Sequence, residues 1–321
     1  MIVATELGLL YAVMALGVYL TFRILDFPDL TVDGSFTSGG ATAAVLLVNN
    51  VNPFLATAAG FGVGCIAGVI TGILHTKGHI NGLLAGILTQ IGLYSINLRI
   101  MGGANVPLLR TSTLMTPLRE ARLLGTWSSA ALFGAVALVV LAIIVWFLHT
   151  DLGLAMQATG ENEVMARSFG ISTDRQKILG LALSNGLVGL AGAIVSQYQG
   201  FADISMGIGL IVAGLASVII GQAIFGSRNI LDAAIAVVLG SVLYRLAIQV
   251  AMDVGLDPND MKLMSALLVV LALVLPQWSV VRRISGLRAA YRGAGPQGAL
   301  TADEYIDDVD DLEIAAKAKG E

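Results

Sequence analysis

Three carboxylates, Asp29, Asp33 and Asp203, stand in stretches otherwise poor in charge, each beside a hydroxyl: Thr31 and Ser35 for the first two, Ser205 for the third. A carboxylate inside a membrane is costly and usually functional. These groups therefore either line a polar pathway or cap the helices that follow, where Asp, Ser and Thr satisfy free N–H groups. A second set, Gln90, Tyr94 and Asn97, falls at positions i, i+4 and i+7, one face of a helix. Such side chains line a pathway or hydrogen-bond to a neighbouring helix. His75 and His79 are four apart, a spacing that could turn two imidazoles to one helix face for a metal. No carboxylate or thiol cluster accompanies them and Gly78 interrupts, so they read as part of a turn. No Gly is followed by Lys, which excludes the phosphate loop G-x-x-x-x-G-K-[ST] and ATP binding by that route. No Ser-His-Asp or Cys-His nucleophile can be assembled, the single Cys65 permits no intrachain disulfide, and basic residues are too sparse for a nucleic-acid surface.

The elements that must position these groups are membrane spans. Of 321 residues, 56% are hydrophobic and 12% charged, and the mean hydropathy is +0.83. Soluble domains carry about 25% charged residues. Stretches near the length of one crossing occur at 7–22, 34–48, 54–74, 80–98, 127–148, 178–200, 207–225, 230–249 and 263–281. The fold class expected is an all-α polytopic membrane protein of about nine transmembrane helices (8–10). The first stretch lacks a basic region before it and a small-residue cleavage site after it, so it reads as a span and not a signal peptide. Gly60, Gly64, Gly68 and Gly72 repeat every four residues, and Gly82 and Gly86 follow suit, a spacing that brings helix backbones close. Lys77, Arg167, Arg175, Lys177, Arg228 and the arginines after 281 fall on one side of a nine-span arrangement, taken as cytoplasmic. The N-terminus then faces outward. Residues 99–126, with Arg99, Arg110, Arg119 and Arg122, fit this arrangement poorly and read as interfacial or re-entrant.

The segment from Phe27 to Ser35 resembles that from Phe201 to Gly209, sharing Phe-x-Asp, then Leu or Ile, then Thr or Ser, at an offset of 174 residues. Gly40 and Gly214 match at the same offset. With five spans between the copies they point in opposite directions, an inverted internal repeat of the kind transporters use. Interrupted backbone is tolerated there only where protein or a polar cavity surrounds it.

The stretch 151–177 is a long polar loop that keeps Val164, Met165, Ser168 and Phe169 at helical spacing, between Gly160 and Gly170. A short amphipathic helix in that place suits either a groove on a partner or the membrane surface. Gly160-Glu161-Asn162, Ala166 and Gly170-Ile171 resemble the coupling-loop signature of ABC importer permeases of the branched-chain amino acid and ribose type. Leu25-Asp26 with Leu30 to Ser35, and Leu181 to Ile194, are similar to that family too. His75-Thr76-Lys77, Gly82 to Thr89 and Leu93 to Gly102 look closest to its predicted tryptophan/tyrosine permease subgroup. The resemblance covers most of residues 5–285.

The resemblance implies a mechanism. A cytoplasmic ATPase subunit docks on Gly160, Glu161, Asn162, Ala166, Phe169, Gly170 and Ile171. Asp29, Thr31, Asp33, Asp203 and Ser205, with Gln90, Tyr94 and Asn97, form the pathway or its hinges. An extracytoplasmic solute-binding protein delivers the substrate, an amino acid. A second permease copy, the same chain or a paired one, completes the pathway in the cell (plasma/inner) membrane. No cofactor belongs to this chain; ATP and Mg sit on the ATPase, and the chain is a transport subunit and not an enzyme. The alternative is an ion-coupled secondary transporter with inverted repeats. It needs an intramembrane charge, and spans three, five, six, seven and nine contain none. An intramembrane enzyme is disfavoured by the missing acid–base set.

The net charge of -4 divides unevenly. Residues 296–321 hold eight acids and two lysines, leaving a permease domain, 1–295, with a net charge of +2. The tail reads as a disordered, solvated cytoplasmic segment.

Overall fold

The computed structural model describes residues 1–226 and 228–254, with Leu263, Ala266, Leu267, Val269 and Val270. These all fall in the unit Met1–Val274. The ninth expected span, apart from those five positions, and the tail lie outside the described residues.

Helix α1 (Ile2–Tyr19) continues through one π-helical turn, Leu20–Ile24. α2 (Thr31–Val48), α3 (Pro53–Thr76) and α4 (Gly82–Met101) follow. A short strand β1 (Asn105–Pro107) and a single-turn helix α5 (Thr116–Glu120) lead to α6 (Trp127–Leu148). Two short helices, α7 (Asp151–Glu161) and α8 (Glu163–Ser168), precede the long α9 (Thr173–Gln199). Strand β2 (Phe201–Asp203), α10 (Leu210–Phe225) and α11 (Ile230–Asp253) complete the order. Local chemistry sets several boundaries. Asn52 and Asn81 cap α3 and α4 by accepting from the N–H two residues on. Gly102 and Gly200 end α4 and α9 in the left-handed conformation that glycine adopts without steric cost.

Among the described residues, six helices are long and apolar enough to cross a membrane: α1 with its π turn, α3, α4, α6, α9 and α11. α10 is apolar but has 16 residues. α2 is the exception in composition, carrying Asp33, Ser35, Thr37 and Ser38 among three glycines. It tolerates them because α3, α4 and α9 surround it, and nearly its whole first half is buried in protein. Glycines make this enclosure close. A side chain on Gly39 would meet the backbone of Gly189, and one on Gly192 that of Phe36. The stripe Gly60, Gly64, Gly68 and Gly72 faces α9 as its spacing predicts: a Cβ on Gly64 would strike the Asn185 carbonyl.

Eight of the nine expected spans are helices at their expected places. The differences lie at the boundaries. α1 begins at Ile2, because Glu6, whose charge argued for a later start, is fully buried and hydrogen-bonded. α9 begins at Thr173, five residues before the apolar run. α10 begins at Leu210, because residues 204–209 form turns. The stretch 151–177 is not a loop with one helix in it: it holds α7, with Gly160 inside, α8 and the first residues of α9. Residues 102–126 do not cross the bundle. β1 pairs antiparallel with β2, Val106 opposite Ala202, and the Gly125 N–H and Tyr198 hydroxyl both donate to Glu6.

Candidate functional site

The break before α2 lies inside the bundle. One Asp29 carboxylate oxygen accepts the Thr31 N–H at 2.9 Å, the other the Asn185 amide at 2.6 Å. The Asn185 oxygen accepts from the Ser35 hydroxyl at 2.7 Å. Asn185 is twelve residues into α9, about 18 Å along its axis, so Asp29 sits deep between the two ends. Thr31, Thr71 and Thr89 join α2, α3 and α4 through hydroxyl contacts of 2.8 and 2.9 Å. Every hydroxyl and amide in this seam is paired, as buried polar groups require.

Asp33 reaches out of α2 to the start of α10. Its carboxylate accepts the Gly209 N–H at 2.7 Å and the Ile211 N–H at 2.8 Å. Gly209 has φ +84°, which allows the turn that aims these donors. A negative group at a helix N-terminus is doubly favoured, by hydrogen bonds and by the helix dipole. Asp203 does locally what Asp29 does: it accepts the Ser205 N–H at 2.8 Å and the Ser205 hydroxyl. Those bonds, with an Asn105 amide at 3.4 Å, hold its carboxyl below the usual range. All three aspartates thus make cap-type bonds, and Asp33 also borders a cavity.

That cavity, about 460 Å³, lies between α2, α4 and the 204–208 turn. Asp33, Thr37, Gln90, Tyr94, Asn97 and Ile208 line it. The expected α4 face therefore does converge, and it converges on Asp33. Asn97 is 1% exposed, and among the described residues neither its amide nitrogen nor its oxygen has a hydrogen-bond partner. Ile91 and Tyr94, at the rim, are exposed. Asp29 and Thr31 lie behind the cavity and do not line it; Asp203 and Ser205 flank Ile204, which does.

At the far end from β1 and β2, α7 and α8 form a fixed platform. Gly160 lies against the π turn, where a Cβ would collide with the Ile24 carbonyl. Asn162 caps α8, accepting the Met165 N–H at 2.9 Å. Ala166 is buried beneath the helix. Val164, Met165 and Phe169 stand 80%, 58% and 78% exposed. Gly170 stops α8 with φ +84°, and the Ile171 N–H returns to the Ala166 carbonyl at 3.1 Å. Glu161 is exposed and takes no part in these bonds. Glu163 accepts from Lys177 at 2.7 Å, Arg167 at 3.0 Å and Thr173 at 3.3 Å. The Lys177 ammonium holds its carboxyl below the usual range. Lys77, Arg167, Lys177 and Arg228 all gather at this end.

Residue-type reasoning missed Glu6, Asn185 and Glu163. Glu6 and Asn185 carried a signal: each is an isolated polar group inside an apolar run, expensive unless paired.

A bundle of membrane-crossing helices with a polar seam, a cavity beside it and a platform at one end is the architecture of a multi-pass membrane permease. Residues 3–274 match the family described as the branched-chain amino acid transport system permease component, and the chain belongs to that family. It is 42% identical over 263 residues to a tyrosine transport system permease protein of Clostridioides difficile, covering 82% of this chain and 86% of that one. It is 28% identical over 214 residues to the ribose import permease protein RbsC of Escherichia coli, covering 65% of each chain. A probable branched-chain amino acid transport permease, LivH of Methanocaldococcus jannaschii, is 26% identical over 204 residues, 59% of this chain and 63% of that one. No solved structure matches the chain. The protein is a permease component of ABC-type transport and a multi-pass protein of the plasma membrane.

Proposed function

We propose that this chain is the membrane subunit of an amino-acid importer, driven by separate ATPase subunits that dock on α8. The observation that carries the reading is α8 itself. Three large apolar side chains, Val164, Met165 and Phe169, stand exposed on a helix whose caps and ion pairs leave it little freedom. An exposed apolar cluster on a rigid platform suits a partner's groove. The basic end on which it sits fits the cytoplasmic side. ATP and Mg belong to the partner; this chain supplies no phosphate loop. The family match and the tyrosine permease relative support an amino acid as substrate.

The cavity of Asp33, Gln90, Tyr94 and Asn97 is the substrate pathway of this reading. Its exposed rim is completed by a second permease copy, and a solute-binding protein feeds it from the β1–β2 end. The inverted repeat finds support in the bonding: Asp29 to Thr31 and Asp203 to Ser205 are the same contact 174 residues apart. Asp33 and Gly207, equivalent at that offset, lie in contact, as residues beside a two-fold axis must.

Affinity purification from native membranes tests the reading. An ATPase should accompany the parent chain and be lost with Phe169→Asp or Gly170→Arg. Retention of the ATPase and of uptake in both variants would overturn it.

A further inference from the structure

Two ion pairs join the platform to the bundle, Arg167 of α8 to Asp174 of α9 at 3.3 Å and Glu163 of α8 to Lys177 of α9, and the far side of the second is a histidine. Lys177, at the base of α9, has a side chain 15% exposed and donates to Glu163 of α8 at 2.7 Å. Its ammonium also lies 3.4 Å from Nε2 of His75, at the end of α3. The histidine's other nitrogen, Nδ1, is 2.8 Å from the Ile80 carbonyl. A carbonyl only accepts, so Nδ1 carries the proton and Nε2 presents a lone pair to the lysine. Phe27 fixes the ring from the side, edge to face at 5.0 Å.

We propose that Lys177 is the positioning residue that transmits motion between α8 and the bundle, and that protonation of His75 at Nε2 releases it. The proposal rests on the docking role given to α8 above. With His75 neutral, one ammonium bridges α8, α9 and α3, so a pull on α8 is a pull on the helix that holds Asp29 through Asn185. A proton on Nε2 replaces that lone pair with a second cation at 3.4 Å, and the bridge opens. The charged groups facing the imidazole are Lys177 from α9, Glu163 from α8 behind it, and Asp26 from the turn after α1. Lys77 is committed to Asp174 at 3.8 Å. Among the described residues lining this cavity, the start of α4 and α7 contribute the neutral Asn81, Gly82, Thr159 and Gly160. A cavity of about 330 Å³, lined by His75, Lys177 and Glu163, lets water and protons reach the ring.

The test needs no partner. A nitroxide is attached after Phe169→Cys in a Cys65→Ser background, in lipid nanodiscs, and its spectrum is read from about pH 8 to about pH 5. The label on the parent should shift from its immobile to its mobile component as pH falls. His75→Gln, which keeps an acceptor that does not titrate, should stay immobile throughout. Lys177→Met should be mobile at every pH. A parent spectrum that does not change, a His75→Gln chain that shifts as the parent does, or an immobile Lys177→Met chain would each overturn the proposal. Retention of the ATPase by Phe169→Asp and Gly170→Arg chains, with an intact pH response, would instead count against the docking role alone.

Discussion

Asp33 is the residue on which two helices depend. It belongs to the first turn of α2 and caps the first turn of α10. Asp33→Ala should cost about 1–2 kcal/mol, the usual value of a cap, measured by thermal unfolding in nanodiscs. Asp33→Asn, which keeps one acceptor oxygen, should lose less. Glu6 is a second such node: its removal leaves the Tyr198 hydroxyl and the Gly125 N–H unpaired. Glu6→Ala should therefore destabilise by about 2–4 kcal/mol in the same measurement. Glu163 supplies a pH prediction with a definite sign. Its carboxyl is depressed in the folded chain, so its hold on α8 is complete above the ordinary carboxylate range and is lost only as pH falls through the lowered value. A nitroxide on α8 in His75→Gln protein should accordingly loosen only in strong acid. Loosening near neutrality in that variant would show that another group titrates.

Between elements, the contact of α3 with α9 is set by glycine. Gly64→Val would drive two methyls into the backbone at Asn185, and no small shift relieves a clash with backbone. The variant should fail to reach the membrane in a folded form, read by protease resistance, whereas valine at Gly62, where a Cβ meets nothing, should be silent. This packing was legible in the spacing alone, since a four-residue repeat fixes a helix face. So were the positions of eight helices, because apolar length is a property of composition. The α4 face was legible for the same reason as the glycines: Gln90, Tyr94 and Asn97 are one stripe. What spacing could not supply was the partner of each stripe. Nothing local in Asp33 says that its carboxylate serves α10, 176 residues away. Nor does apolar periodicity reveal α7, whose ends are set by the Thr150 cap and by Asn162. Start positions failed wherever a charge was buried with donors, as at Glu6.

Among the described residues, the bundle encloses a polar seam at α2 within otherwise apolar packing, and its outer faces are apolar. α2 is enclosed, while α4 and α6 expose Leu88, Ile91, Leu138 and Ile143 to their surroundings. Not all of that outer surface need meet lipid. The rim of the cavity at Ile91 and Tyr94 is where a second permease copy would seat, so Ile91→Cys chains should cross-link to one another in native membranes. A substitution to Cys at Ile143, away from the cavity, should not. The enclosure of α2 also bears on how the chain is made. A segment with Asp33 and so many hydroxyls has little tendency to leave the insertion channel for lipid by itself. Its most intimate neighbour, α9, is synthesised only after three long helices, α3, α4 and α6, and three short ones, α5, α7 and α8. α2 must therefore wait at the channel, sheltered by α3 and α4, until α9 arrives, and a chain truncated before Thr173 should leave α2 unprotected and open to degradation.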